Sequence, residues 1–147
     1  MPTIQRFEDL RVWQNARLLD QKIFRLTQQE VMKRDFRLIG QWLGASGSVM
    51  DNIAEGFDRE GNKEFIQFLS IAKGSAGEVR SQGYRALDRG YSSEQDFQEV
   101  YQDAVQIRNQ LTKLMNHLKS SDIKGVKYQK LSNSSGPNKQ TDEQTYN

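Results

Sequence analysis

Between Pro2 and Pro137 the chain contains no proline. Proline removes a backbone donor and clashes with the preceding turn, so its absence leaves the whole middle of the chain free to run as long helices. The fourth such segment carries the cleanest pattern. Phe97, Val100, Ala104, Ile107, Leu111, Leu114 and Leu118 recur in steps of three and four, an unbroken heptad stripe. Ser93, with Asp96 three residues on, resembles a capping box, and Gly90 supplies the stop of the helix before it.

Three further segments follow the same logic. The first repeats Val12, Ala16, Leu19, Ile23 and Leu26, widened by Leu10 and Trp13, with Asp9 as its expected N-cap. The second runs from about Phe36 to Phe57, with Ile39, Trp42, Leu43, Val49, Ile53 and Phe57 expected inside. The third runs from about Lys63 to Asp88, capped by Asn62, with Phe65, Phe68, Leu69, Ala72, Ala76, Val79, Gly83 and Leu87 facing inward. Gly40, Gly44, Ser48 and Asn52 form a strip of small side chains on the second helix. Ser70, Gly74, Gly77 and Ser81 form another on the third. Two such strips predict that these helices are the most closely packed pair.

The connections near 31–35, 58–62 and 89–93 are short, which implies antiparallel neighbours. The expected fold is all-α, an antiparallel up-down-up-down four-helix bundle over residues 1–120. Residues 121–147 are rich in Ser, Asn, Gln, Lys and Gly, and are expected to be a disordered polar tail.

Composition narrows the chemistry. Hydrophobic residues are only 35% of the chain, enough for one core, and there is no cysteine for disulfides or thiolate metal sites. With no long apolar run and no signal-like N-terminus, the expected location is cytoplasmic, away from membranes. His117 is the single histidine and Leu114 stands three residues before it, so the Glu-x-x-His pairs of a di-iron bundle are missing. A catalytic triad would also have to rely on His117. Ala72-Lys73-Gly74-Ser75 resembles a phosphate loop only faintly and falls inside an amphipathic helix. No catalytic residue, metal site or cofactor is assigned, and an enzyme is not expected.

Two groups of polar residues stand out. Asn52 and Glu55 lie near the end of the second helix, where a carboxylate opposes the helix dipole and needs a partner. An interhelical tie, with Lys73 or Arg80 supplying the charge, is the expected reading. The formal charge is +2, and residues 1–37 are basic whereas 90–119 are slightly acidic. Arg17, Lys22 and Arg25 on the first helix, with Lys73, Arg80 and Arg85 on the third, are the candidate phosphate contacts. An ordinary solvated face is the competing interpretation. Trp13, Phe24, Phe68 and Tyr84 exceed what one stripe per helix buries, which points to a second apolar surface and self-association.

Several blocks also carry a family resemblance. Phe7-Glu8-Asp9-Leu10 with Val12-Trp13 comes first, and Asn52-Ile53-Ala54-Glu55-Gly56-Phe57 second. Lys63-Glu64-Phe65 continuing through Phe68-Leu69-Ser70-Ile71-Ala72-Lys73-Gly74-Ser75 is third, and Gly90-Tyr91 before a Ser-capped helix last. Together they resemble the bacterial four-helix-bundle proteins encoded in intervening sequences of 23S ribosomal RNA genes, over residues 6–119. The resemblance implies a cytoplasmic homopentamer. It extends to the accessory factors of diversity-generating retroelements, basic pentamers that bind nucleic acid and a reverse transcriptase. It does not imply a ribosomal subunit. Where that family often has Arg-Arg-Ala and a later Ile-Pro, this chain reads Leu43-Gly44-Ala45 and Val49-Met50, so two familiar cations are missing. The expected function is therefore a non-enzymatic homo-oligomer that binds nucleic acid, RNA foremost, through phosphates. The alternative is a protein-interaction module.

Overall fold

The computed structural model describes residues 4–123. A short 3-10 turn at Phe7–Asp9 leads into α1 (Arg11–Thr27), followed by α2 (Phe36–Asp58), α3 (Asn62–Asp88) and α4 (Glu94–Ile123). No strand occurs among the described residues. Side-chain pairs fix the direction of packing. Asn15 with Gln110 and Lys22 with Asp103 join α1 to α4, and Trp42 with Val79 and Ser48 with Ser75 join α2 to α3. Asn62 with Leu118 joins α3 to α4, as do the rings of Tyr84 and Phe97. In each set the numbering rises on one helix as it falls on the other, so neighbours are antiparallel. The expected up-down-up-down bundle forms. The tail expectation falls outside the described residues, except that 121–123 belong to α4.

The helix ends are where local chemistry departs from expectation. Asp9 does not cap α1. It sits in the 3-10 turn and faces Arg6 at 3.7 Å, while Leu10 takes the N-cap position without a side-chain hydrogen bond. The reason is burial: Leu10 is drawn fully into the core, and Phe7 packs edge-on against Trp13 at 5.1 Å. Asn62 does not cap α3 either. Gly61, at φ +87, holds that place, and Asn62 is buried with its side-chain amide donating to the Leu118 carbonyl at 3.3 Å. The end of α3 and the start of α4 follow the sequence. Gly90 adopts φ +75, and the amides of Gly90 and Tyr91 donate back to Leu87 and Ala86, a Schellman closure. The Asp96 amide then donates to Ser93 Oγ at 3.0 Å.

Asp35 is the cap that joins distant parts of the chain. One carboxylate oxygen accepts from the Leu38 amide at 3.1 Å, and the other accepts from Arg89 and the Tyr91 hydroxyl, each at 2.9 Å. The Leu38 hydrogen bond foremost, then that of Tyr91, holds this carboxyl below its ordinary pKa. A group depressed in the folded state stabilises above its unfolded pKa, about 3.9, and loses that contribution as pH falls through the folded value. Asp35→Asn keeps an N-capping oxygen but removes the charge. The variant is expected to melt below wild type at neutral pH, with the gap closing below about pH 4. Thermal melts across that range check this, and a gap indifferent to pH contradicts it.

All of the α4 stripe is buried, as are Val12, Ala16, Leu19, Ile23 and Leu26 of α1. On α2 the inward face is rotated from the expected one: Leu38, Ala45 and Ser46 are buried, whereas Ile39 and Leu43 are only partly so. On α3 Phe68 and Leu87 are partly exposed, and the other expected positions are inside. α2 and α3 do make the most extensive contact in the bundle. The small-residue strips are not the cause. A Cβ added at Gly40, Gly44, Gly47 or Gly74 would meet nothing within 4 Å. Steps of four residues rotate about 40° each around a helix, so such a strip winds off the interface. The close approach lies at Gly56 instead, where a Cβ would stand 2.7 Å from Phe68 Cβ and 3.0 Å from a Phe65 ring carbon.

Candidate nucleic-acid interface

Seven residues are two helical turns, so Lys73 and Arg80 on α3 share a face, as do Tyr101 and Arg108 on α4. These faces adjoin: the Arg80 guanidinium lies over the Tyr101 ring, 5.6 Å from its centroid. The antiparallel register that pairs Arg80 with Tyr101 carries Lys73 to the level of Arg108. Tyr84, one turn past Arg80, packs on Phe97 at 4.7 Å and meets Tyr101 edge-on at 6.0 Å. Gly77 leaves room beside the Arg80 guanidinium, 3.8 Å from where its Cβ would be. Arg108 contacts the Asn109 side-chain oxygen at 3.3 and 3.4 Å. Among the described residues no carboxylate pairs with Lys73, Arg80 or Arg108. The Arg80 Nε–H is buried without an acceptor. The seam between α3 and α4 is therefore basic, aromatic and uncompensated.

The six cations singled out from sequence do not gather on one face. Lys73 and Arg80 lie on the α3/α4 seam. Arg85 faces the groove between α2 and α3 and donates to Gln41 at 2.9 Å. Arg17 and Arg25 are exposed on α1, with Arg17 over the Trp13 ring at 5.9 Å. Lys22 sits on the α1/α4 seam between Asp103 at 2.7 Å and Glu99 at 3.4 Å. The Asp103 hydrogen bond foremost raises its pKa, so the charge is held but already neutralised by neighbours. α1 and α3 sit diagonally in the bundle, which separates the two halves of the set. Arg108 and Tyr101 do not stand out in the sequence, because residues 90–119 are slightly acidic overall; their seven-residue spacing puts them on one face of α4 but does not say what that face meets.

Glu55 has a partner, but neither Lys73 nor Arg80. Arg59, one turn on, donates to it at 2.7 Å, and this carboxylate raises the Arg59 pKa. The short reach along one helix wins over a crossing to α3. Asn52 donates within α2, to the Ser48 carbonyl at 2.8 Å and Ser48 Oγ at 2.9 Å, and it is the Ser48 hydroxyl that crosses to Ser75 Oγ on α3, at 2.8 Å. His117 is half-buried near Ser121, and no group of metal-ligating side chains occurs among the described residues. No described helix is long and apolar enough to cross a membrane.

Comparison with known proteins adds the lineage. No curated protein matches the chain. A solved structure from Bacteroides thetaiotaomicron, a protein of unknown function from the S23 ribosomal protein family, shares the fold with a TM-score of 0.65 at 20% identity. That alignment covers 71% of this chain and 97% of the other. The family model for the 23S rRNA-intervening sequence protein matches residues 8–113, most of the bundle just described, and the chain belongs to that family.

Proposed function

We propose that the chain is a non-enzymatic, cytoplasmic, self-associating bundle that binds nucleic acid, RNA in preference, through phosphate contacts from Lys73, Arg80 and Arg108. The observation that carries this reading is the α3/α4 seam, three cations with no carboxylate among them in the described residues. Such a face favours a polyanion, which exchanges released counterions for protein contacts. Contacts of this type position a nucleic acid without reading its sequence.

Self-association is supported by apolar side chains left at the surface: Leu18 is 60% exposed, Phe24 50% and Phe36 77%. Leu18 and Phe24 are on α1, while an open groove between α2 and α3 is floored by Gly40 and Gly44. Exposed apolar side chains on α1 and a groove on another face suit a head-to-tail contact, the kind that closes a ring. The pentamer number and a reverse transcriptase as protein partner rest on the family resemblance alone. The same exposed apolar side chains and groove favour a second reading, a protein-interaction module without nucleic acid.

Charge reversal separates the two. The double variant Arg80→Glu with Arg108→Glu is expected to bind a fluorescent structured RNA at least about tenfold more weakly than wild type at about 50 mM salt. Its helical circular dichroism and elution volume should be unchanged, since both side chains are partly exposed and neither belongs to the apolar core. Equal affinities would move the phosphate contacts off this face, and no binding by wild type would leave the protein-interaction module.

A further inference from the structure

Beyond the three cations, the α3/α4 seam holds an aromatic arrangement that phosphate contacts do not use. Tyr84 is 49% exposed, unusual for a large ring at a helix seam, yet it is not loose. Phe97 supports it at 4.7 Å, Tyr101 meets it edge-on at 6.0 Å, and Phe97 and Tyr101 lie 5.8 Å apart. The guanidinium of Arg80 continues this surface over Tyr101. An aromatic ring fixed from behind and open in front loses little freedom when a flat ligand lands on it.

We infer that the open face of the Tyr84 ring, flanked by Tyr101 and Arg80, is a stacking platform for unpaired nucleobases, so that the seam binds single-stranded nucleic acid ahead of duplex. The inference rests on the nucleic-acid reading above and names its substrate class. Bases in a duplex are stacked on one another and turn only their edges outward, so a flat platform gains nothing from them. Unpaired bases present whole faces, and every base has one, so recognition is tolerant of sequence. Tyrosine rings and arginine guanidinium planes both stack on bases, and the flanking Lys73 and Arg108 supply the positive groove that tracks the backbone. An apolar protein partner would find the same seam poor, because it would bury uncompensated cations.

The test uses the full chain and two fluorescein-labelled RNAs of about twelve nucleotides, one oligoadenylate strand and one blunt duplex, in anisotropy titrations. The strand should bind more tightly than the duplex. Tyr84→Ala should weaken strand binding by about five- to a hundred-fold, the range of one lost stack, with Tyr84→Phe within about twofold of wild type. The dependence of affinity on salt should stay the same in Tyr84→Ala, because no phosphate contact is lost. A merely structural role would move duplex and strand together. Should Tyr84→Ala fail to fold, Tyr84→Leu keeps the packing on Phe97 without a flat ring and gives the same reading. Equal affinity for strand and duplex, with Tyr84→Ala neutral, overturns the platform and leaves the phosphate contacts standing. No binding of either RNA overturns both.

Discussion

Replacing Trp42 with alanine is expected to destabilise the bundle by about 3–5 kcal/mol, the cost of emptying a core site of aromatic size. Trp42 is 1% exposed and sits in the first third of α2, facing α3. Its ring edge fills the space above Gly83, whose Cβ would lie 3.8 Å from it. The indole N–H donates to the Val79 carbonyl at 3.1 Å, so the side chain has a polar partner as well as an apolar one. Trp42→Phe separates these contributions: it keeps most of the apolar contact, loses one hydrogen bond, and should cost about 1–2 kcal/mol plus the smaller void. Urea unfolding followed by circular dichroism reads both. A loss under about 1 kcal/mol for Trp42→Ala would mean that the α2/α3 interface is not packed as described.

Gly56→Ala and Gly40→Ala should shift stability in opposite directions, although both put alanine for glycine inside the same helix. Alanine gains about 1 kcal/mol over glycine in a helix interior. At Gly40 nothing lies within 4 Å of the new methyl, so that gain is expected nearly in full. At Gly56 the methyl would stand 2.7 Å from Phe68 Cβ, an atom that cannot move unless α3 moves with it. Parting the two helices costs about 1–3 kcal/mol, which outweighs the propensity gain. Melting temperatures of the two variants should bracket that of wild type. A rise in both would show that α2 and α3 have slack at this end.

That pair also explains why two of the blocks carrying the family resemblance occur together. Ile53 and Phe57 are core residues, Phe57 meets Phe65 edge-on at 5.8 Å, and Gly56 admits Phe65 and Phe68. The Asn52–Phe57 block and the block that starts at Lys63 are two sides of one contact, joined by the turn at Gly61.

Helix existence and direction were legible because apolar spacing is a long-range average. The α4 stripe survives any single misplaced residue, and every member of it is buried. Caps are decided by single atoms and were less legible. Ser93 behaves as its residue type suggests, whereas Asp9 and Asn62 lose their places to the burial of Leu10 and to the reach of Asn62 toward Leu118. The glycine strips were misleading for a geometric reason, since a four-residue step drifts around the helix and only Gly56 meets the facing chain closely. The basic site was half legible. Lys73 and Arg80 belong to the seam, but sequence alone does not say which helices adjoin at a given level, and so gave no reason to join Arg108 to them rather than Arg17 and Arg25.

If the α3/α4 seam binds RNA through its phosphates, wild-type affinity must fall as salt rises. Three phosphate contacts to a single strand give a slope of log affinity against log salt near −2. Anisotropy with the oligoadenylate strand should therefore show binding that weakens by about twentyfold between about 50 and 200 mM salt. Affinity that stays flat across that interval, or no binding at its lower end, would mean that the seam does not hold RNA through its phosphates.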